Sequence, residues 1–280
     1  MTMTLKSLLA GAALACLAST AAAVCVDLQG QQQQGGLVWG QAAPGVTVTL
    51  DGQALDVLAD GTFIAGFGRD AARSAELVVG DCRQRLSVAS REYDIQRVEG
   101  VPQQTVTPPP EVLARIARER ELVNAAKARY LARPDLLGDA LAGFRWPVEG
   151  RISGVYGSQR VYNGTPGNPH YGVDVAVPTG TIVRAPAAGV VTLAEPDLFY
   201  SGGTIILDHG YRLSSSFLHL SRVRVAVGDE VQAGDIIGEV GATGRATGPH
   251  LDWRMAWRNE RIDPQFLVPP MAPAAAAAGS

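Results

Sequence analysis

The chain has 280 residues, 46% of them hydrophobic and 18% charged, with a formal net charge of -3. That is enough apolar material for real cores, and it excludes wholesale disorder. The slightly acidic balance, without a long basic run, argues against nucleic acid as a main ligand, and no apolar stretch in the body of the chain is long enough for an internal membrane span.

Residues 1–23 carry Lys6, then an apolar run from Leu8 to Leu17, and end in Ala21-Ala22-Ala23. This is the layout of a secretory signal peptide, and it predicts a periplasmic or extracellular protein. Cleavage after Ala23 leaves two cysteines, Cys25 and Cys82. An even count in an oxidising compartment predicts one disulfide between them.

From 24 to 100 the text is strand and turn. Leu37-Val38-Trp39, Val46 to Leu50, Phe63-Ile64-Ala65, Glu76 to Val79 and Arg85 to Val88 are short runs rich in apolar, β-branched or aromatic residues. Asp51-Gly52, Asp60-Gly61 and Gly80-Asp81 punctuate them, which predicts a small antiparallel β-sandwich. Residues 101–144 read as a Pro-rich linker followed by a helix. Val112, Ile116, Val123 and Tyr130 form its apolar stripe, and prolines up to Pro110 and at Pro134 bracket five or six turns. Residues 269–280 are a Pro/Ala tail of disordered composition.

All four histidines, His170, His209, His219 and His250, lie in the remaining stretch, 145–268, which is again strand and turn. Three patterns stand out: His170-Tyr-Gly-Val-Asp174, Ser216-Phe-Leu-His219-Leu-Ser221 and Thr247-Gly-Pro-His250-Leu-Asp252-Trp253. On a strand, His250 and Asp252 share one face, where an acid/base group can sit beside a metal ligand. His209, in the turn-like Asp208-His209-Gly210, reads as structural. The predicted fold class is mainly β: an N-terminal small β-sandwich, a connecting helix and a C-terminal antiparallel sheet.

Residues 145–268 resemble the catalytic domain of lysostaphin/LytM-type zinc metalloendopeptidases, which cut peptide bridges in peptidoglycan. The resemblance runs through Gly154 to Arg160, His170 to Asp174, Pro178 to Thr181, Ala185 to Val190, Leu207 to Gly210, His219 to Ser221, Val227 to Gly234 and Gly241 to Leu251. It implies a duplicated-hybrid-motif-like sheet with one Zn2+ in its groove, and peptidoglycan peptide bridges as substrate. It also implies metal ligands at His170 and Asp174, and catalytic histidines at His219 and His250. The family's third ligand is the second His of a His-x-His motif, a position held here by Asp252. A carboxylate also binds zinc, so one imidazole and two carboxylates would replace two and one, with a less acidic bound water. Arg160 and Asn168, just before His170, are candidates for lining the groove, with loop packing the alternative for both.

Some relatives of this type have lost the metal site and activate amidases, so the second reading is a non-catalytic regulator or wall-binding protein with cell-division or amidase partners. Those relatives lack several site positions, whereas this chain departs at one.

Overall fold

The computed structural model describes residues 24–99 and 110–271. The signal-peptide-like segment, the linker through residue 109 and the residues after 271 lie outside them.

The β-branched runs of the first part form the expected strands. β1 (Gln29–Gly30), β2 (Leu37–Gln41) and β5 (Thr62–Gly66) make one sheet in the order β1-β2-β5. β3 (Val48–Leu50), β4 (Gln53–Ala54), β6 (Ser74–Val79) and β7 (Cys82–Ser87) make a second, in the order β4-β3-β6-β7. All pairs in both are antiparallel. Leu37, Phe63, Leu77 and Leu86 fill the space between them. Burying one such side chain contributes about 1.5–3 kcal/mol.

Cys25 is bonded to Cys82 across a separation of 57 residues. The Gln84 side chain reinforces the tie by accepting from the Cys25 and Val26 amides. A loop of this length implies about 4 kcal/mol of stabilisation in the chain-entropy view. Cys25→Ser/Cys82→Ser should therefore lower the urea midpoint, equivalent to about 2–4 kcal/mol. A reductant should shift the native protein to the same midpoint and leave the double variant unmoved.

The expected connecting helix of at least five turns is present and ends before Pro134, and a second, shorter helix follows it. α1 spans Pro110–Ala128, and a second helix, α2, spans Pro134–Ala142. Pro134 opens α2, because proline at a first helical position gives up an amide that has no intrahelical partner anyway. Tyr130, expected on the helical stripe, lies beyond α1 and is exposed. Leu136, Leu137 and Ala140 of α2 are buried.

Most of the C-terminal strands belong to one sheet. Its order is β17 (Glu230–Val231), β14 (Gly189–Leu198), β15 (Gly202–Asp208), β16 (Leu213–Val223), β19 (Leu251–Trp257), β12 (Val173–Ala176) and β9 (Arg151–Gly154), each antiparallel to the next. β18 (Ile236–Val240) pairs with the far end of β16, and β20 (Glu260–Ile262) pairs with β19. Alternation sorts the two faces. Val173, Val175, Ile205, Phe217, Leu251, Trp253 and Met255 enter a core continuous with that of the first part. Asp174, Ile206, Ser216, Asp252 and Arg254 lie on the opposite face, in register across β15, β16, β19 and β12.

α1 rests on that second face. Val123 and Ala126 pack on Leu193, Leu198 and Ile206. Arg115 pairs with Glu119 and reaches Asp197, and Glu119 accepts from the Phe199 amide at 2.8 Å. The first part is also tied to the C-terminal part. Arg91 donates to the buried Asp263 carboxylate at 2.9 Å, Arg258 reaches the Ala54 carbonyl, and β8 (Ile95–Val98) pairs in parallel with β10 (Gln159–Tyr162). Among the described residues, no helix is long and apolar enough to cross a membrane.

Candidate metal and catalytic site

His170 stands just before β12 and Asp174 lies within it, four residues apart, while Asp252 is the direct cross-strand neighbour of Asp174. Ligand atoms of the three lie within 4.8 Å of one another. His170 Nε2 and Asp174 Oδ1 face each other at 3.1 Å, yet both are buried without a well-formed hydrogen bond. Two buried polar atoms left this way, beside a second carboxylate, form a donor set that suits a divalent cation.

Close packing needs glycine on both flanks. A Cβ at Gly154 would stand 2.2 Å from Asp174 Oδ2, and one at Gly172 would stand 2.6 Å from Asp252 Oδ1 and from Arg254 Cγ.

His219 reaches this face from β16 by an irregular route. The strand changes partner there, pairing with β19 through Leu218 and with β18 from Leu220. His219 sits at the change with φ 64, a left-handed backbone unusual for histidine. Its Nδ1 lies 2.8 Å from the Thr243 carbonyl, and Nδ1 of His250 lies 2.8 Å from that of Gly248. Carbonyls only accept, so each Nδ1 carries the hydrogen and each Nε2 keeps a lone pair in the neutral ring. The two rings stand 4.8 Å apart, and His250 Nε2 is 3.8 Å from Asp174 Oδ1.

Local charges set the proton affinities. Burial would lower the His170 pKa, but the nearby Asp174 and Asp252 carboxylates outweigh it and raise it. Burial lowers that of His219. Asp252 is 2% exposed, and burial alone would push it up; Arg254 holds it below the usual carboxylate range.

Arg254 is the residue the sequence reading missed. Its Nε donates to Asp252 Oδ1 at 2.9 Å and Oδ2 at 3.1 Å, and its Nη2 donates to Oδ2 at 2.5 Å. Two residues apart on a strand, the pair shares a face, so the alternation that linked His250 to Asp252 could have revealed it. Arg261 on β20 joins the same face through its pairing with Ala256. Lys127 of α1 is close enough that burial, then Arg261 and Arg254, depress its pKa to about 7.

Arg160 lies on β10, where its Nε donates to Gln96 Oε1 of β8 at 3.4 Å. Asn168 is exposed two residues before His170.

His209 is fully buried, with Nδ1 2.8 Å from the Ala188 carbonyl, Nε2 2.8 Å from Ser215 Oγ and the ring edge-on to Phe144. It is away from the cluster, as its structural reading requires. Burial depresses its pKa to about 4, and burial raises that of neighbouring Asp208 to about 6. A depressed histidine loses folded stability as pH falls from about 6.5 towards 4. A raised aspartate gains it as pH falls through 6, so the two slopes oppose each other. In metal-free protein, Asp208→Asn should leave a fold that weakens as pH falls from 6.5 to 4. His209→Gln should remove that fall, and denaturant titrations at several pH values read both.

The architecture and this face define the chain as a mainly β protein with a His/Asp/Asp cluster beside two imidazoles. It belongs to peptidase family M23, whose sequence model matches residues 168–264. A protein from Pseudomonas aeruginosa assigned to that family has a solved structure with 30% identity and a TM-score of 0.61, matching 85% of this chain and 94% of that one. The peptidoglycan DD-endopeptidase ShyA of Vibrio cholerae is 36% identical over 143 residues, covering 49% of this chain and 33% of ShyA. The DD-carboxypeptidase/endopeptidase Mpg of Neisseria meningitidis is 38% identical over 101 residues, covering 36% of this chain and 23% of Mpg. The chain thus spans a third or less of the length of these two curated relatives.

Proposed function

We propose that this chain is a secreted zinc metalloendopeptidase that hydrolyses peptide cross-links of bacterial peptidoglycan. The observation that carries the reading is the convergence of His170, Asp174 and Asp252 within 4.8 Å, with the ring pair of His219 and His250 beside Asp174. The DD-endopeptidase relatives support the substrate class. The disulfide and the signal-like start support a periplasmic or extracellular location. On this reading residues 145–268 form the peptidase unit and 24–100 an accessory β-sandwich.

His170, Asp174 and Asp252 would hold one Zn2+. When bound, zinc would make a coordinated water far more acidic than bulk water and would polarise a carbonyl. His219, kept neutral by burial, accepts the proton of the attacking water at Nε2 and returns it to the leaving amine. The Thr243 carbonyl holds its ring in the tautomer that leaves Nε2 free. His250, whose Nε2 lies 3.8 Å from Asp174 Oδ1, is the second imidazole and would stabilise the developing oxyanion whenever Nε2 carries a hydrogen.

One observation favours the second reading, a non-catalytic regulator or wall-binding protein: Arg254 already engages both oxygens of Asp252. Incubating the chain lacking residues 1–23 with purified cross-linked peptidoglycan, with zinc and with chelator, separates the two. Zinc-dependent loss of muropeptide dimers is the expected result. Intact dimers in every lane, from folded protein, would sink the enzyme reading.

A further inference from the structure

We infer that Arg254 is a positioning residue for Asp252, and that the two side chains act as one compound metal ligand. The inference rests on the metal-site reading above and concerns how a carboxylate can serve where the family resemblance implies an imidazole. Three observations carry it.

The first is geometric. Two N–H groups of Arg254 hold the carboxylate, the Nε–H shared between both oxygens and an Nη2–H on Oδ2. An ionised carboxylate has about four acceptor directions, so these three contacts fix its plane and still leave a lone pair on Oδ1, which only the shared Nε–H engages, while a ligand atom of Asp252 stays within 4.8 Å of those of His170 and Asp174. The second is packing. Gly172 leaves the space the pair occupies, since a Cβ there would meet Asp252 Oδ1 and Arg254 Cγ, each at 2.6 Å. The third is charge. One imidazole and two carboxylates carry two formal negative charges, against one for two imidazoles and a carboxylate. Arg254 on the same strand face brings the total back to one. The exchange of imidazole for carboxylate is thereby matched by a cation two residues on.

A compound ligand predicts a reversal of sign. With Asp252 present, the guanidinium orients the ligand, and removing such an outer-shell partner typically costs 10–100-fold in metal affinity. With an imidazole at that position the same guanidinium has no carboxylate to hold, and it repels the incoming cation. Removing it should then help.

The test is a double-mutant cycle on the chain lacking residues 1–23, read as zinc affinity by competition with a chromogenic chelator at pH 7.5. The proteins are wild type, Arg254→Gln, Asp252→His and the double variant, with circular dichroism and thermal melts to report folding. Arg254→Gln should weaken zinc binding by about 10-fold or more in the wild-type background and strengthen it in the Asp252→His background, where only the repulsion between the guanidinium and the cation is removed. Arg254→Lys, which keeps the charge without the planar fork, should fall between wild type and Arg254→Gln; it keeps the inference testable if the glutamine variant fails to fold.

Equal effects of Arg254→Gln in both backgrounds would overturn the inference and leave the zinc reading standing. Wild type without zinc, and Arg254→Gln with it, would show the guanidinium to be a competitor of the metal. If none of the folded proteins holds zinc, the metal reading falls and this inference falls with it.

Discussion

Asp174→Ala should bind no zinc and lose peptidoglycan cleavage by roughly 10³-fold or more, while remaining folded. The magnitude follows from losing several kcal/mol of metal assistance at about 1.4 kcal/mol per tenfold in rate. The position makes Asp174 the most exacting choice. Its Oδ1 is 3.1 Å from His170 Nε2 and 3.8 Å from His250 Nε2, so it touches both the metal-binding and the proton-handling halves of the cluster. It also faces Asp252 directly across the β12–β19 ladder. Like charges opposite each other destabilise a strand pair, so the substitution should not lower the melting temperature of metal-free protein. Added zinc should raise the melting temperature of wild type and leave the variant unmoved, because a ligand stabilises only the fold that binds it. Metal content by mass spectrometry, melting curves and muropeptide analysis read the three effects. A variant that keeps its zinc and its activity would remove Asp174 from the ligand set.

The second large effect separates proton handling from metal binding. His219→Ala should retain zinc at wild-type affinity within a few fold and lose about 10²–10⁴ in cleavage rate, the range expected when a positioned general base is removed. The geometry gives the reason. His219 enters from β16, outside the His170/Asp174/Asp252 cluster, and its Nδ1–H is committed to Thr243. The left-handed φ of 64 at this residue costs more for alanine than for asparagine, so His219→Asn is the companion variant with the smaller stability penalty. Both should show the same loss of rate. Loss of metal together with activity would make His219 a ligand, and an unchanged rate would remove it from the proton path.

The secondary structure was legible wherever one residue's neighbours in sequence settle its environment. β2, β5, β6 and β7 carry runs such as Phe63-Ile64-Ala65 that pair and bury as their composition demands. α1 ends before Pro134 as expected, but Pro134 also opens α2, because proline both ends helices and begins them. The choice depends on whether Leu136, Leu137 and Ala140 find a core to enter, which local text does not state. The position of α1 on the face that bears Asp174 and Asp252 is also non-local, since it depends on Leu193, Leu198 and Ile206, far along the chain.

For the site, the sequence alone determined which chemistry is available and how residues within one strand are arranged. Period-two alternation links Asp252 and Arg254 on one face and Leu251 and Trp253 on the other, because successive side chains of a strand point in opposite directions. The segregation of all four histidines into 145–268 was equally plain. Tertiary structure alone decided that His170, Asp174 and Asp252 meet, that His219 arrives through a strand irregularity, and that His209 stays apart in the core. It also decided the tautomers of His219 and His250, through the carbonyls of Thr243 and Gly248. The physical reason is one of range: side-chain alternation is a property of a single extended backbone, whereas ligand convergence, hydrogen-bond acceptors and desolvation depend on cross-strand register between segments tens of residues apart.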